Sequence, residues 1–331
     1  MFMSNINQQD NNRASRVCVV IPAYRVEAYI QDVIRGIPGW VWRIIVVDDA
    51  SPDRGAELAQ ALNDPRVIVL KHDCNQGVGG AMLTGFKKAM EIGAAIVVKM
   101  DGDNQMPVEY LPYLVRPILD NEADFTKGNR FIHSGAIMQM PLMRRIGNMA
   151  LSFLTKLSSG YWNVFDPTNG YIAMDMRLFS SLDQGRIHKG YFFESSLLVE
   201  LNLARAVVAD VPMPACYDGA ISSLSIPRVI CEFPYLLMHG FFRRIWLQYF
   251  IMDFSAGSLF LLAGTLLCLF GLIWGGCALR FSLLNHVPAS TGTVMIAVLP
   301  LILGFQLLLQ ALVFDVQNVP REMRSRSVKK I

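Results

Sequence analysis

The chain has 331 residues, of which 53% are hydrophobic and only 17% are charged, a composition too apolar for an ordinary soluble enzyme. Its net charge of +3 is too small to indicate nucleic-acid binding, and the sequence has no basic stripe with interleaved aromatic residues. The six cysteines form no C-x-x-C pair and no metal-ligand spacing, which favours a reducing compartment.

The first part of the chain alternates between two kinds of pattern. Residues 1–15 are polar and rich in Asn and Gln, so we predict a disordered tail without a secretory signal. Four β-branched runs follow, at Val17–Ile21, Ile44–Val47, Val67–Leu70 and a strand that starts at Ile96, and each of the first three leads into a helical pattern. This alternation predicts an α/β domain over residues 16–225 with a doubly wound, mainly parallel sheet.

The fourth run leads directly into Asp101-Gly102-Asp103, which places two carboxylates at the carboxyl end of a strand. Alternate residues of an extended chain point the same way, so the pair can hold Mg²⁺ or Mn²⁺ while substrate phosphates supply further oxygens. Gly102 would let a ligand approach the backbone closely. An acidic turn that caps the next helix through Asp103 or Asn104 explains this stretch equally well by itself.

The carboxyl ends of the other three runs also carry polar residues or glycines. They read Pro22-Ala23-Tyr24, Asp48-Asp49 and Asn75-Gln76-Gly77-Val78-Gly79-Gly80. Ligands of doubly wound sheets lie outside the carboxyl ends of the strands, so the four segments together predict a binding site at this edge. The glycines match neither a dinucleotide fingerprint nor a P-loop, and we interpret them as the tight start of a closely packed helix.

Four ordered motifs, V-V-I-P-A-Y, I-I-V-V-D-D-A-S, N-Q-G and D-G-D-N-Q, resemble those of family 2 glycosyltransferases with the GT-A fold. G-N-R-F at residues 128–131 and D-P-T-N-G-Y at residues 166–171 are similar to segments of the polyprenyl-phosphate branch, typified by dolichyl-phosphate mannose synthase. The resemblance covers residues 16–225 at motif level and, beyond them, only the membrane architecture. It implies transfer of one sugar from a nucleotide-sugar to a polyprenyl phosphate.

The resemblance also implies roles for individual residues. The donor would be bound by Pro22, Tyr24, Val47, Asp49, Gly102 and Gln105, with Glu27 as a neighbouring substitute for a glutamate that the family usually has at Val26. Asp101 and Asp103 would hold Mg²⁺ or Mn²⁺ against the diphosphate of the donor. Arg130 would reach a phosphate and, with Asp166, completes the set of catalytic candidates.

A phosphate acceptor changes what such a site needs. A phosphate monoester is already ionised near neutral pH, so no general base is required, but cations must offset the repulsion between the phosphates and the two aspartates. The candidates are Arg130 and either Arg144 or Arg145, with solvated surface charge as the alternative, especially for one of the neighbouring pair. Asp166 fits a place in the site and a turn-forming role equally well. Glu194 fits a helix cap or an ion pair at least as well as catalysis.

The last third of the chain predicts membrane insertion. Residues 254–279 and 292–314 carry no charge, and each run is long enough at about 1.5 Å per residue to cross a hydrocarbon core of about 30 Å. Residues 226–253 mix aromatic residues with arginines and predict interfacial juxtamembrane helices, although part of them also fits an extension of the first span. Residues 315–331 form a basic tail. The positive-inside rule therefore predicts a cytoplasmic catalytic domain and cytoplasmic termini, at the inner or plasma membrane of a bacterial source.

Together with the residues above, the resemblance implies an inverting, metal-dependent hexosyltransferase. Its expected partners are a UDP- or GDP-sugar, undecaprenyl or dolichyl phosphate and membrane lipids, without nucleic acid, and its product would serve cell-envelope glycan or glycolipid assembly. Gly271 and Gly275 fit a homo-oligomer and equally well the packing of the two spans. One alternative is a processive polysaccharide synthase, although its Gln-x-x-Arg-Trp motif and additional spans are not found. The other is a non-catalytic membrane-anchored scaffold that binds sugar nucleotides, against which only the intact Asp101 and Asp103 argue.

Overall fold

The computed structural model describes residue 13 and residues 15–130, 142–214 and 226–321. Side chains are described throughout these ranges except at 142–145, 148 and 226–231. The chain divides into two compact units, the first formed by Met1–Phe241 with Pro320–Ile331 and the second by Phe242–Val319.

The first unit is built on a sheet of seven strands in the order β3-β2-β1-β4-β6-β5-β7. The strands are β1 (Val17–Ala23), β2 (Arg43–Asp48), β3 (Val67–Lys71), β4 (Ile96–Lys99), β5 (Phe125–Asn129), β6 (Ile172–Asp175) and β7 (Val208–Pro212). β6 runs antiparallel to its neighbours β4 and β5, and all other neighbouring strands are parallel. This confirms the predicted α/β fold with a mainly parallel sheet.

Helices connect the strands. They are α1 (Ile30–Gly36), α2 (Gly55–Ala61), α3 (Val78–Glu91), α4 (Leu111–Leu119), α5 (Leu142–Ser159) and α6 (Phe193–Leu203), with single turns at Val108–Tyr110, Met176–Phe179 and Gln184–Arg186. β1, β2 and β4 are buried along almost their whole length. A parallel sheet is covered on both faces, which explains why these strands read as continuous apolar runs in the sequence.

The register of β6 decides which loops meet. Lys99 at the end of β4 and Lys127 in β5 both pair with Ile172, the first residue of β6. Because β6 is antiparallel to both strands, its beginning lies at the same edge as their carboxyl ends. The segment before β6 therefore joins the loops after β4 and β5. β7 runs parallel to β5 and pairs Pro212 with Asn129, which brings Met213 to this edge as well.

The second unit contains the two apolar helices. α7 (Ile226–Trp246) ends within this unit and continues as a π-helical turn at Leu247–Met252, followed by α8 (Ala256–Asn285) and α9 (Thr291–Gln317). Among the described residues, α8 and α9 are the two helices that are long and apolar enough to cross a membrane. Most of their large apolar side chains are exposed. This confirms the two predicted candidate spans, whereas the interfacial placement of residues 226–253 stays a prediction.

The glycines of α8 bring it close to α9. A Cβ atom at Gly271 would meet the side chain of Leu301 and the carbonyl oxygen of Ala297, and one at Gly275 would lie 3.3 Å from the Cβ of Ala297. Small residues at such positions let two membrane helices approach closely. Within this chain, the two glycines therefore serve the packing of α8 against α9, which was one of the two roles that the sequence left open.

Candidate active site

A pocket of about 150 Å³ opens at the edge of the sheet where the loops after β4 and β5 meet the segment before β6. Its lining includes Asp101, Asp103, Gln105, Arg130, Gly170 and Tyr171. The pocket therefore combines residues from three of the segments that the sequence singled out. A larger cavity of about 330 Å³ lies between the ends of α8 and α9 and is lined mainly by apolar side chains.

The two carboxylates of the D-x-D motif both line the pocket. Burial raises the pKa of Asp103, and the neighbouring Asp101 carboxylate adds to this rise. The backbone N–H of Gln105 donates to one oxygen of Asp103 at 3.1 Å, and this hydrogen bond acts in the opposite direction by lowering the pKa of Asp103. A partly buried carboxylate whose charge a neighbouring carboxylate disfavours forms a site that a cation would stabilise.

This pair fits a divalent cation only together with ligands from elsewhere. In the described part of the chain, no group of three or more His, Cys, Asp or Glu side chains is arranged to hold a metal ion. Mg²⁺ is commonly bound by one or two protein carboxylates together with substrate phosphates and water. Asp101 and Asp103 match that arrangement, because they face a pocket with room for a phosphate.

Lys99 is a buried cation beside Asp101 that the sequence analysis did not identify. Its Nζ lies 2.6 Å from Oδ1 of Asp101 and 3.4 Å from Oε1 of Glu194, and its side chain is only 2% exposed. Burial alone would lower the pKa of Lys99, but the two carboxylates raise it above its ordinary value. Lys99 is therefore charged, and Glu194 forms an ion pair, which was one of its predicted roles.

A second buried lysine lies on the same face of the sheet. Lys127 aligns with Lys99 across Ile172, and its ammonium group donates to the backbone carbonyl oxygen of Asn169. Burial lowers the pKa of Lys127 to about 8, although the nearby Glu194 and Asp166 carboxylates oppose this change. No local pattern signals either lysine, because both sit inside runs that read as buried strands.

Arg130 and Asp166 form a bidentate ion pair at the pocket. The Nε of Arg130 lies 2.7 Å from one oxygen of Asp166, and Nη2 lies 3.1 Å from the other. The side chain of Asp166 is fully buried, whereas that of Arg130 is 29% exposed and lines the pocket. Thr168 also donates to Asp166 at 3.3 Å. Asp166 therefore orients Arg130, and only Arg130 presents charge to a ligand.

Asp49 lies at the end of β2 and is almost completely buried. One oxygen lies 2.7 Å from Nδ1 of His72 and accepts the backbone N–H of Gln76 at 2.8 Å, while the other accepts the N–H of Gly77 at 2.8 Å. The carboxylate thus holds the turn that begins α3. The sequence analysis gave His72 no role, since its partner is distant in the chain. A contact of Asp49 with the base or ribose stays a prediction.

The other residues predicted to bind the nucleotide-sugar lie in β1 and β2 or in the loop that follows β1. Pro22 pairs with Val47 across β1 and β2, and Val47 is fully buried. Tyr24 is exposed, with the guanidinium of Arg25 5.5 Å from its ring centroid. The carboxylate of Glu27 is exposed and accepts the backbone N–H of Arg54 at 3.3 Å.

The remaining predictions concern Gly102, Arg144 and Arg145. A Cβ atom at Gly102 would lie 3.1 Å from Val26 and 3.3 Å from Ile21, so this glycine packs against the core. The side chains of Arg144 and Arg145, near the beginning of α5, lie outside the described residues. Their contact with the acceptor stays a prediction.

Comparisons with known proteins find sugar transferases among the relatives of this chain. The UDP-N-acetylglucosamine–dolichyl-phosphate N-acetylglucosaminyltransferase of Methanococcus voltae is 31% identical over 216 residues, which cover 61% of this chain and 86% of the relative. The undecaprenyl-phosphate mannosyltransferase of Micrococcus luteus is 32% identical over 173 residues, which cover 51% and 70%. These relatives confirm the resemblance to the polyprenyl-phosphate branch.

A solved structure shows the same fold. Glucosyl-3-phosphoglycerate synthase of Mycobacterium tuberculosis, crystallised with Mn²⁺, UDP and glucosyl-3-phosphoglycerate, matches with a TM-score of 0.53 and 23% identity over 73% of this chain and 84% of that one. At this identity the likeness concerns the fold alone. The domain described as "Glycosyl transferase family 2" matches residues 18–183, the part of the chain that contains the sheet edge and the D-x-D motif. The chain therefore belongs to glycosyl transferase family 2.

Proposed function

We propose that this glycosyltransferase moves a single sugar, with inversion, from a UDP- or GDP-sugar to a polyprenyl phosphate at the cytoplasmic face of a membrane. The observation that carries the proposal is the charge arrangement of one pocket. Asp101 and Asp103 line it together with Arg130, which Asp166 orients. Such a pocket can bind a cation with a diphosphate on one side and a second phosphate on the other.

The chain's own residues would divide the work as follows. Asp101 and Asp103 would hold a divalent cation, which would neutralise the charge of the leaving diphosphate when bound. Arg130, whose side chain is 29% exposed and lines the pocket, would hold the acceptor phosphate while Asp166 fixes the guanidinium plane. A phosphate oxygen then forms a bond to the anomeric carbon from the face opposite the diphosphate, and the bond from that carbon to the diphosphate breaks.

No general base is needed for this reaction. A phosphate monoester carries between one and two negative charges near neutral pH, so its attacking oxygen is already deprotonated. Asp166 is fully buried and bound by Arg130, which leaves it poorly placed to accept a proton from an acceptor hydroxyl. This geometry gives Asp166 no role as the base that a hydroxyl acceptor would need, which fits a phosphate acceptor.

The nature of the substrates is supported by the relatives and by the second unit. The two relatives described above are named as sugar transferases to dolichyl and undecaprenyl phosphate, and one name specifies UDP-N-acetylglucosamine as the donor. α8 and α9 are long and apolar enough to keep the enzyme in the membrane that holds such a lipid. The basic residues outside this pair favour a cytoplasmic catalytic unit.

The proposal can be tested with the full-length chain extracted into detergent. The enzyme would be incubated with Mn²⁺, undecaprenyl or dolichyl phosphate, and a panel of UDP- and GDP-sugars. We expect one nucleotide-sugar to give a lipid product with one sugar and a phosphodiester link. A product with several sugars would instead indicate the processive alternative. Binding of a nucleotide-sugar without any transfer would indicate a scaffold.

Topology requires a separate experiment. Ala289 is exposed between α8 and α9, so Ala289→Cys would report the side on which this connection lies. In inside-out vesicles and a background whose native cysteines are serines, a membrane-impermeant maleimide should fail to label it. Restoring Cys74, which is exposed in the first unit, provides the labelled control. Labelling of both positions from the same side would contradict the proposed hairpin.

A further inference from the structure

Next to the D-x-D motif, one buried lysine forms ion pairs with two carboxylates. Lys99 lies between Asp101, whose side chain is 32% exposed and lines the pocket, and Glu194, whose side chain is 13% exposed. Lys99 itself is only 2% exposed, so its ammonium group cannot move out into water. Its charge must be balanced by these two carboxylates, which are its ion-pair partners among the described residues.

The fold brings the three groups together from separate elements. Lys99 ends β4, and Glu194 lies in the first turn of α6. Gly170 leaves the space that the lysine occupies, because a Cβ atom there would collide with Nζ of Lys99 and lie 3.1 Å from Oδ2 of Asp101. The arrangement is thus built by tertiary packing, with a glycine where a side chain would block it.

The lysine and the expected cation compete for the same carboxylate. An ammonium group 2.6 Å from Oδ1 of Asp101 neutralises this oxygen. A divalent cation bound by Asp101 would repel that ammonium group strongly in a partly buried site. Glu194 is already 3.4 Å from Lys99 on the other side and offers an alternative partner.

We propose that Lys99 is an exchangeable counter-ion of Asp101 and that Glu194 is its alternative partner. The ammonium group of Lys99 binds Asp101 when no divalent cation is bound. It moves towards Glu194 when Mg²⁺ or Mn²⁺ binds with the donor diphosphate. Glu194 is therefore a positioning residue that sets the affinity of the pocket for the cation without touching the substrate. This inference rests on the metal use in the proposed function and names residues outside the D-x-D motif that control it.

The test is a Mn²⁺ titration of the full chain in detergent with UDP or GDP present, read by the electron paramagnetic resonance of free Mn²⁺. Glu194→Gln keeps the size of the side chain and removes its charge, so Lys99 should stay on Asp101. We expect Mn²⁺ affinity to fall by at least about tenfold, which is the usual effect of losing a partner behind a metal ligand. Circular dichroism and the thermal midpoint would check that the variant is folded.

A double variant separates charge balance from a merely structural role. Lys99→Met combined with Glu194→Gln removes both charges and leaves Asp101 without the competing lysine. Mn²⁺ affinity should therefore return to within about threefold of the wild type, compared with the loss of about tenfold or more expected for Glu194→Gln alone. Glu200→Gln is a matched control, because Glu200 is a buried carboxylate about 9 Å further along α6. It should bind Mn²⁺ like the wild type.

The outcomes distinguish this inference from the proposed function. Wild-type affinity in Glu194→Gln, or a double variant as weak as Glu194→Gln, would overturn the counter-ion proposal while leaving metal use intact. A wild-type enzyme that binds no Mn²⁺ with either nucleotide would overturn both the inference and the metal-dependent step of the proposed function.

Discussion

Two buried ion pairs, one in each compact unit, differ in whether their carboxylate is open to a ligand. In the second unit, Arg244 donates to the two oxygens of Asp315 at 2.7 and 3.0 Å, and the hydroxyl of Tyr249 donates to the same carboxylate at 2.8 Å. The Arg244 and Asp315 side chains are 0% and 7% exposed. In the first unit, Lys99 binds one oxygen of Asp101, whose side chain remains 32% exposed.

The difference separates an ion pair that fastens the structure from one that prepares a binding site. Arg244 lies near the end of α7 and Asp315 near the end of α9, so their closed pair fixes these two helix ends to each other. Breaking such a pair is costly because it leaves one buried charge without its partner. The open pair keeps a carboxylate at a pocket, where a cation and phosphates can reach it.

The largest effect should follow from removing charge at the open pair. Asp101→Asn and Asp103→Asn keep the side-chain shape but remove the negative charge that would hold a cation. We expect each variant to lose sugar transfer by at least about a hundredfold, the scale at which a lost electrostatic contact slows an enzyme. The far-ultraviolet circular dichroism should stay unchanged. Transfer that persists in these variants and in EDTA would remove the metal from the mechanism.

The closed pair should respond in stability instead. Asp315→Asn removes the charge that Arg244 binds in this buried pair, so we expect the free energy of unfolding to fall by about 3 kcal/mol and the thermal midpoint to drop. Asp120→Asn breaks the exposed pair with Arg116 and should cost less than about 1 kcal/mol. Arg244→Met combined with Asp315→Leu should restore most of the lost stability. A double variant as unstable as Asp315→Asn would contradict this account.

The ion pair of Arg130 with Asp166 is intermediate between the open and the closed pair, because Arg130 is partly exposed and Asp166 is buried. Arg130→Ala should slow transfer to a soluble short-chain polyprenyl phosphate by more than about tenfold, or about 1.4 kcal/mol. At least one of Arg144→Ala and Arg145→Ala should do the same, with Arg116→Ala as an exposed control. Asp166→Asn should cost less and mainly raise the KM for the acceptor. Near-normal acceptor use by Arg130→Ala, with complete loss in Asp166→Asn, would indicate a carboxylate-dependent mechanism.

A separate effect, on the pH dependence of stability, concerns Lys127, whose pKa burial lowers from 10.5 to about 8. Between these two pH values the unfolded chain holds a proton on this residue that the folded chain lacks, so stability rises with pH. Below about pH 8 both states are protonated and Lys127 adds no pH dependence. The thermal midpoint of the wild type should therefore rise relative to Lys127→Met from pH 8 to pH 10. A constant difference would show that Lys127 stays protonated throughout.

The sequence predicted the parts of the molecule that depend on local pattern. β1 to β4 read as buried runs followed by helices, and the D-x-D motif follows one of them directly. The antiparallel strand β6 was not predicted, because Ile172–Asp175 is short and its pairing with β4 and β5 joins distant parts of the chain. Its position nevertheless brings Gly170 to the pocket lining and Asp166 into its ion pair with Arg130.

Side-chain partners were the hardest part to predict. Arg130 and Asp166 were identified separately by resemblance, but their bidentate pair depends on the register of β6. His72 beside Asp49, and Lys99 between Asp101 and Glu194, carry no local signal, since a buried lysine or histidine differs from its neighbours only in what it contacts after folding. The same holds for Arg244 and Asp315, which a sequence reader assigns to a basic juxtamembrane segment and a tail.

The most direct test compares the two ion pairs with one chemical change and one assay. The single-turnover rate of sugar transfer to undecaprenyl phosphate would be measured for Asp101→Asn and Asp315→Asn, well below the thermal midpoint of the less stable variant. The account predicts a rate at least about a hundredfold lower in Asp101→Asn and a rate close to the wild type in Asp315→Asn. Equal losses in the two variants, or a normal rate in Asp101→Asn, would contradict it.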